Sequence, residues 1–128
     1  MYQIVLVDFD ECYIAKVYSD GEILKLFEDT SLVPHKMGVG GQSALRFQKI
    51  RENEIVQWFK SINEQIMKLD GEIILGISSV YYNKFEKCLH TYSKNKIARH
   101  MPIECNGLSG IYSLLNTLHR EKKNVILT

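Results

Sequence analysis

The sequence predicts an α/β domain built on a five-stranded mixed sheet, an antiparallel meander followed by βαβ crossovers with helices on the faces. Three observations predict it. Residues 2–30 are dominated by apolar and β-branched runs broken by turn residues. Beyond residue 43, apolar residues recur at i, i+3, i+4 spacing in three separate stretches. Short β-rich runs fall between those stretches, which is the alternation that makes parallel crossovers. A chain of 128 residues, 45% hydrophobic and 24% charged, suffices for one globular core.

Taken in order, YQIVLVDF alternates poorly but is β-rich, so it reads as a buried strand. FDE turns the chain, CYIAKVY returns as a second strand, and SDG supplies the next turn before EILKLFEDT. SLVPHKMGVGG, with Pro34 and three glycines and no period, reads as a loop. A long helix is expected from Ser43 to Leu69, about 40 Å at ~1.5 Å per residue. In its distal half Ile55, Trp58, Phe59, Ile62, Ile66 and Leu69 make an apolar stripe. Its proximal half, SALRFQKIREN, is basic with a thin stripe, so that end is expected to project beyond the core. Asp70-Gly71 stops the helix. EIILGISS is a buried strand. Tyr82, Phe85, Leu89 and Tyr92 predict one helix across 80–95, KIARHMPIE a short strand, and Leu108, Ile111, Leu114, Leu115 and Leu118 a last helix. NVILT, 124–128, is strand-like without a visible partner. The order βββαβαβα is a ribonuclease H-like arrangement.

Composition excludes several classes. No apolar run approaches the ~20 residues of a membrane span. MYQIVLVDFDE has neither the basic region nor the apolar length of a signal peptide. Cys12, Cys88 and Cys105 are odd in number and widely spaced, so free thiols are expected and neither a metal site nor a disulfide. His35, His90, His100 and His119 have no ligand-like or triad spacing. No repeat, low-complexity segment or linker divides residues 1–128, which read as one domain. The net charge of +1 hides an asymmetry. Residues 1–34 hold seven acids and two bases, whereas 35–51 hold Lys36, Arg46, Lys49 and Arg51 and no acid. Residues 84–100 hold Lys84, Lys87, Lys94, Lys96 and Arg99 against Glu86. Two local basic segments on a nearly neutral chain suggest a polyanion contacted at specific places, with a solvated helix face as the plain alternative.

The stretch GVGGQSALRF, 38–47, carries the chemistry. Glycines permit positive φ and close backbone approach to another molecule. The spacing is neither GxGxxG nor GxxxxGK[ST], and no strand feeds straight into it, so a nucleotide-binding loop is disfavoured. Gln42 is not a useful general base near neutral pH; it orients by hydrogen bonds, with one acceptor oxygen and two N–H donors. Gly-Gly-Gln therefore offers backbone N–H groups and a neutral probe, suited to a site where another molecule supplies most of the catalytic surroundings.

GGQSALRF, within PHKMGVGGQSALRFQKIR, resembles the GGQ motif of class-1 peptide-chain release factors of the eukaryotic and archaeal kind, in their middle domain. The resemblance is collinear over nearly the whole chain: IVLVD and its hairpin, ILGISSVYYNKFEK, and ECNGLSGIYSLLNTL all have counterparts. It implies that the loop enters the peptidyl transferase centre of the large ribosomal subunit and promotes hydrolysis of the P-site peptidyl-tRNA ester, an activity expected only together with the ribosome. It implies that Gly40 and Gly41 allow a backbone shape a Cβ would block. The N–H of Gln42 would stabilise the oxyanion or the leaving ribose oxygen, and its side chain would position water. The side-chain nitrogen of Gln42 would be an N-methylation site for a glutamine methyltransferase. Lys36, Arg46, Lys49 and Arg51 would contact rRNA phosphates. No cofactor, metal or membrane is implied, and the location is the cytoplasm. The family usually has a basic residue where this chain has Val39, and many members have a polar residue where it has Met37. Neither a codon-reading domain nor a domain for binding a translational GTPase is visible in the chain. It reads either as a piece of a termination factor or as a stand-alone factor acting in ribosome rescue.

Two other readings compete. Asp8-x-Asp10 at the end of a strand resembles the nucleophile motif of haloacid dehalogenase-like phosphatases, and strand-end carboxylates bind Mg²⁺ in some nucleases. No later acidic pair joins them, and a turn explains DFDE at less cost. A non-catalytic module that docks on ribosomes or RNA is the other reading; it would tolerate substitution of Gln42. Trp58 belongs to the core stripe, Ser43 reads as a helix N-cap, and Tyr81 and Tyr82 are candidate surfaces for RNA bases, with Tyr82 also on an apolar stripe.

Overall fold

The computed structural model describes residues 2–31 and 42–127, with the backbone alone for 42–48 and 122–127. Strands β1 (Tyr2–Val7), β2 (Glu11–Val17) and β3 (Ile23–Thr30) form the antiparallel meander. Helix α1 (Gln42–Met67) crosses to β4 (Ile73–Ile77), which pairs parallel to β1. Helices α2 (Ser79–Cys88) and α3 (Thr91–Lys96) lead to β5 (Ile97–Met101), parallel to β4, and α4 (Gly107–Leu127) follows. The sheet order is β3-β2-β1-β4-β5, the expected five-stranded mixed sheet.

Period-two alternation sorts the sheet into two cores. Val5, Val7, Cys12, Ile14, Ile73, Leu75 and Ile77 face α1 and α2, meeting Ile55, Trp58, Phe59, Ile62, Ile66, Phe85 and Leu89. Ile4, Leu6, Tyr13, Ala15, Val17, Ile74 and Met101 face the other way, onto Ile111 and Leu114 of α4. The poor alternation of YQIVLVDF is thereby explained: β1 is central and covered on both sides, so a continuous apolar run is what it needs. Edge strand β3 is mostly exposed. Helix α4 lies close on β1. A Cβ at Gly110 would stand 2.6 Å from the Cys105 carbonyl oxygen and 2.7 Å from Leu6 Cδ1, so only glycine fits there.

One expectation is corrected. The single helix across 80–95 is two helices. Leu89, buried and extended at φ −85°, ψ 136°, ends α2. The His90 N–H then donates to Asn63 Oδ1 of α1 at 3.0 Å, and His90 Nδ1 accepts the Tyr92 N–H at 3.1 Å as the N-cap of α3. The strand-like run at 124–127, whose role the sequence leaves open, is the end of α4, which runs to Leu127. A strand there would need a sheet edge, whereas a continuing helix satisfies its backbone locally. Helix α1 begins at Gln42 and ends at Met67, within two residues of the expected limits. The Lys68 and Leu69 N–H groups close the last turn onto Gln65 O and Ile66 O, and Gly71 at φ +80° turns the chain away. Among the described residues, no helix is long and apolar enough to cross a membrane.

Candidate functional site

Helix α1 has two halves of different character. Among its described side chains, Ile55 is the first that is buried. Lys49 and Ile50 are exposed, the latter 46%, so at that point of the helix even an apolar side chain meets no core. Gln42, the first helical residue, stands about 20 Å along the axis from Ile55 at ~1.5 Å rise per residue. No acid lies in the first turn, and the first carboxylate of the helix is Glu52. The positive end of the helix dipole and the basic side chains therefore act in the same sense there.

The root of this half is held by the hairpin tip between β1 and β2. The Asp8 N–H donates to Glu11 O at 2.8 Å and closes the tip. Trp58 Nε1 donates to the Asp8 carbonyl at 2.9 Å, which satisfies the one polar atom of a buried indole. The Arg51 guanidinium carbon lies 5.3 Å from the centroid of the Phe9 ring. Phe9 meets Tyr81 at 5.7 Å, Tyr81 meets Phe59 edge-on at 6.4 Å, and Phe59 meets Phe85 edge-on at 5.2 Å. Glu52 pairs with Lys84 of α2. The other side of the tip holds the end of β3: Ser31 Oγ donates to Phe9 O at 2.8 Å, and the Ser31 N–H donates to Asp10 O at 2.9 Å.

Of the residues singled out in the sequence, Lys36, Gly40 and Gly41 lie outside the described residues. Gln42 and Arg46 are placed in α1 by their backbone, and their side chains lie outside the described set. Lys49 is exposed on the same helix, and Arg51 is half-buried against Phe9. The second basic segment is largely committed within the molecule. Lys84 pairs with Glu52 and Arg99 with Glu121. Lys96 Nζ donates to Ile66 O at 3.2 Å and Met67 O at 3.0 Å, and also reaches Leu69 O, so it caps α1. Tyr82 stacks on His100 with ring centroids 3.9 Å apart.

Asp8 accepts the Phe9 N–H at 2.7 Å through Oδ1. Burial raises its carboxyl above the usual carboxylate range; the Phe9 N–H opposes this and Asp10 adds to it. Among the described residues, no group of three or more His, Cys, Asp or Glu side chains is placed to hold a metal ion. Cys12 is inert by environment: burial, with a smaller contribution from Asp29, pushes its thiol up to about 12.

Sequence reasoning did not find the residues that hold the helix root. Phe9 was a turn residue, and the partners Glu52 and Lys84 are too far apart in the chain to suggest each other. The one available signal was an aromatic residue in an otherwise acidic turn, DFDE.

Comparison with known proteins agrees with this architecture. Over 125 residues the chain is 28% identical to peptide chain release factor subunit 1 of Archaeoglobus fulgidus. That match covers 90% of this chain and 30% of that protein, so the chain spans under a third of the length of this curated relative. The family described as eRF1 domain 2, the middle domain, matches residues 1–124. With nearly its whole length matched and a five-stranded mixed sheet in place, the chain belongs to the eRF1 domain 2 family.

Proposed function

We propose that this chain supplies the ester-hydrolysing end of a release factor, in translation termination or ribosome rescue in the cytoplasm. Gly40, Gly41 and Gln42 enter the peptidyl transferase centre beside the P-site peptidyl-tRNA. Lys36, Arg46 and Lys49 contact rRNA phosphates, and Arg51 adds charge at the helix root. Water attacks the ester carbonyl carbon, the bond to the ribose 3′ oxygen breaks, and a proton passes to that oxygen. The backbone N–H of Gln42 stabilises the negative charge that develops, and its side chain holds the water and excludes larger nucleophiles. The glycines let the backbone approach closely. Modification of the Gln42 amide by a glutamine methyltransferase, and cooperation with other release-factor domains or a translational GTPase, belong to the same reading.

The observation that carries this reading is the position of Gln42. It opens α1 thirteen positions before Ile55, the first buried residue among the helix's described side chains, at an end free of acidic residues until Glu52. Such an end suits insertion into a narrow, phosphate-lined site. Ribosomes carrying labelled peptidyl-tRNA in the P site and an empty A site provide the test. The chain in excess releases peptide, and Gly41→Ala slows release by about 10²-fold or more, because its Cβ bars the backbone shape that aims the Gln42 N–H and so acts as loss of that oxyanion donor would. Ribosome binding with no release, indifferent to Gln42→Ala, would instead make the chain a non-catalytic docking module.

A further inference from the structure

Helix α1 makes three contacts at the level where it leaves the core, and together they form a collar. Trp58 Nε1 is fixed to the Asp8 carbonyl at 2.9 Å. One turn or two further out, Arg51 lies over the Phe9 ring at 5.3 Å. The neighbouring residue, Glu52, pairs across to Lys84 on α2. Phe9 itself is backed by Tyr81, and Tyr81 by Phe59, which is wholly buried. The hairpin tip and α2 thus grip α1 through different residues, and the contacts of Arg51 and Glu52 lie on the solvent side of Ile55, the first buried residue among the described side chains. A helix gripped only at its buried half would be free to tilt about Ile55. Because Gln42 lies about 20 Å beyond that point, a tilt of a few degrees displaces it by about 1 Å or more, and such misplacement is costly for a reaction that depends on orientation.

We propose that Phe9, Arg51, Glu52 and Lys84 are positioning residues: the collar they form at the root of α1 sets the direction of its proximal half, and hence where Gln42 stands. This deepens the release-factor reading and rests on it for its consequence in catalysis, though not for its geometry. None of the four touches the reacting atoms. The role of Arg51 is accordingly mechanical as well as electrostatic.

The experiment has two readouts. Spin labels at Lys49→Cys and Tyr92→Cys, both exposed positions, report the distance distribution between the proximal half of α1 and the core, with Cys12→Val, Cys88→Ala and Cys105→Ser as background. Glu52→Lys and Lys84→Glu are surface changes that leave the core intact, and Phe9→Ala removes the ring. Each single variant broadens the distribution without a matching fall in Tm, and the exchanged pair Glu52→Lys with Lys84→Glu narrows it again. In the release assay, run in the unlabelled chain, the single variants slow release at saturating protein by about 10- to 100-fold. The half-saturating concentration stays put, because Lys36, Arg46 and Lys49 remain. An unchanged distribution in Glu52→Lys and Lys84→Glu overturns the collar. So does a broadened distribution with an undiminished release rate. If the parent chain releases no peptide, the release-factor reading fails and the label distances alone decide the collar.

Discussion

Asp8 shows how one residue serves a fold at a cost. Its carbonyl receives the Trp58 indole and its amide closes the hairpin, while its carboxyl is held in a half-buried place beside Asp10. Burial raises that carboxyl, so the folded state holds its proton to higher pH than the unfolded chain does. Stability from this group is therefore greatest at low pH. It falls as pH rises from the ordinary carboxylate value, near ~3.9, through the raised folded value. Asp8→Asn keeps an oxygen for the Phe9 N–H and removes the charge. It is predicted to raise Tm at pH 7 relative to the parent and to lose that advantage near pH 3; thermal melts at the two pH values check this. The same variant leaves peptide release intact, whereas a phosphatase or nuclease working through Asp8 would lose its activity. The sequence named Asp8 and Asp10 as a competing catalytic pair. What it did not show is that the Asp8 backbone serves the indole of Trp58, fifty residues away.

At the scale of elements, local periodicity was informative wherever burial follows one face. The stripe Ile55–Trp58–Phe59–Ile62–Ile66 and the apolar run of β1 are core in the structure for the reasons the pattern suggests. The break between α2 and α3 was not legible. Leu89 and Tyr92 fit a helical stripe, but Leu89 is extended because the next amide is taken by Asn63 of another helix. Tyr92 ends up 54% exposed, beneath the Lys96 ammonium. The basic segment 84–100 was ambiguous for the same reason, since Glu52 and Glu121, which take up two of its charges, are remote in sequence. Lys96 is the clearest case of a base used internally. It binds the carbonyls left open at the C-terminus of α1, where a cation is also favoured by the helix dipole. Lys96→Met is predicted to cost about 1.5–3 kcal/mol, the range for hydrogen bonds to a charged group. Urea unfolding gives that number, and it should leave any ribosome contact through Lys49 unaltered.

For the whole molecule, the design is an α/β core, and in the proposed reading one helix, α1, reaches out of it. The sheet is covered on both faces, α1 and α2 on one and α4 on the other. The glycines of the motif were legible only as a pattern and a resemblance, and their own geometry lies outside the described residues. Legible in the structure is the support behind them. If the reach of α1 is what brings Gln42 to its target, the reach itself is the quantity to change. Deleting residues 44–50 shortens the helix by about 10 Å and turns its end by only ~20°, with the core and the Gly-Gly-Gln sequence kept. A full-length control, Arg46→Gln with Lys49→Gln, removes the same charges without changing length. The measurement is single-turnover peptide release at low salt and saturating protein, with the Tm of each chain recorded. The predicted result is release in the control and none in the shortened chain, at similar Tm. Release from the shortened chain at the rate of the control would contradict the central claim that α1 works by carrying the motif away from the core.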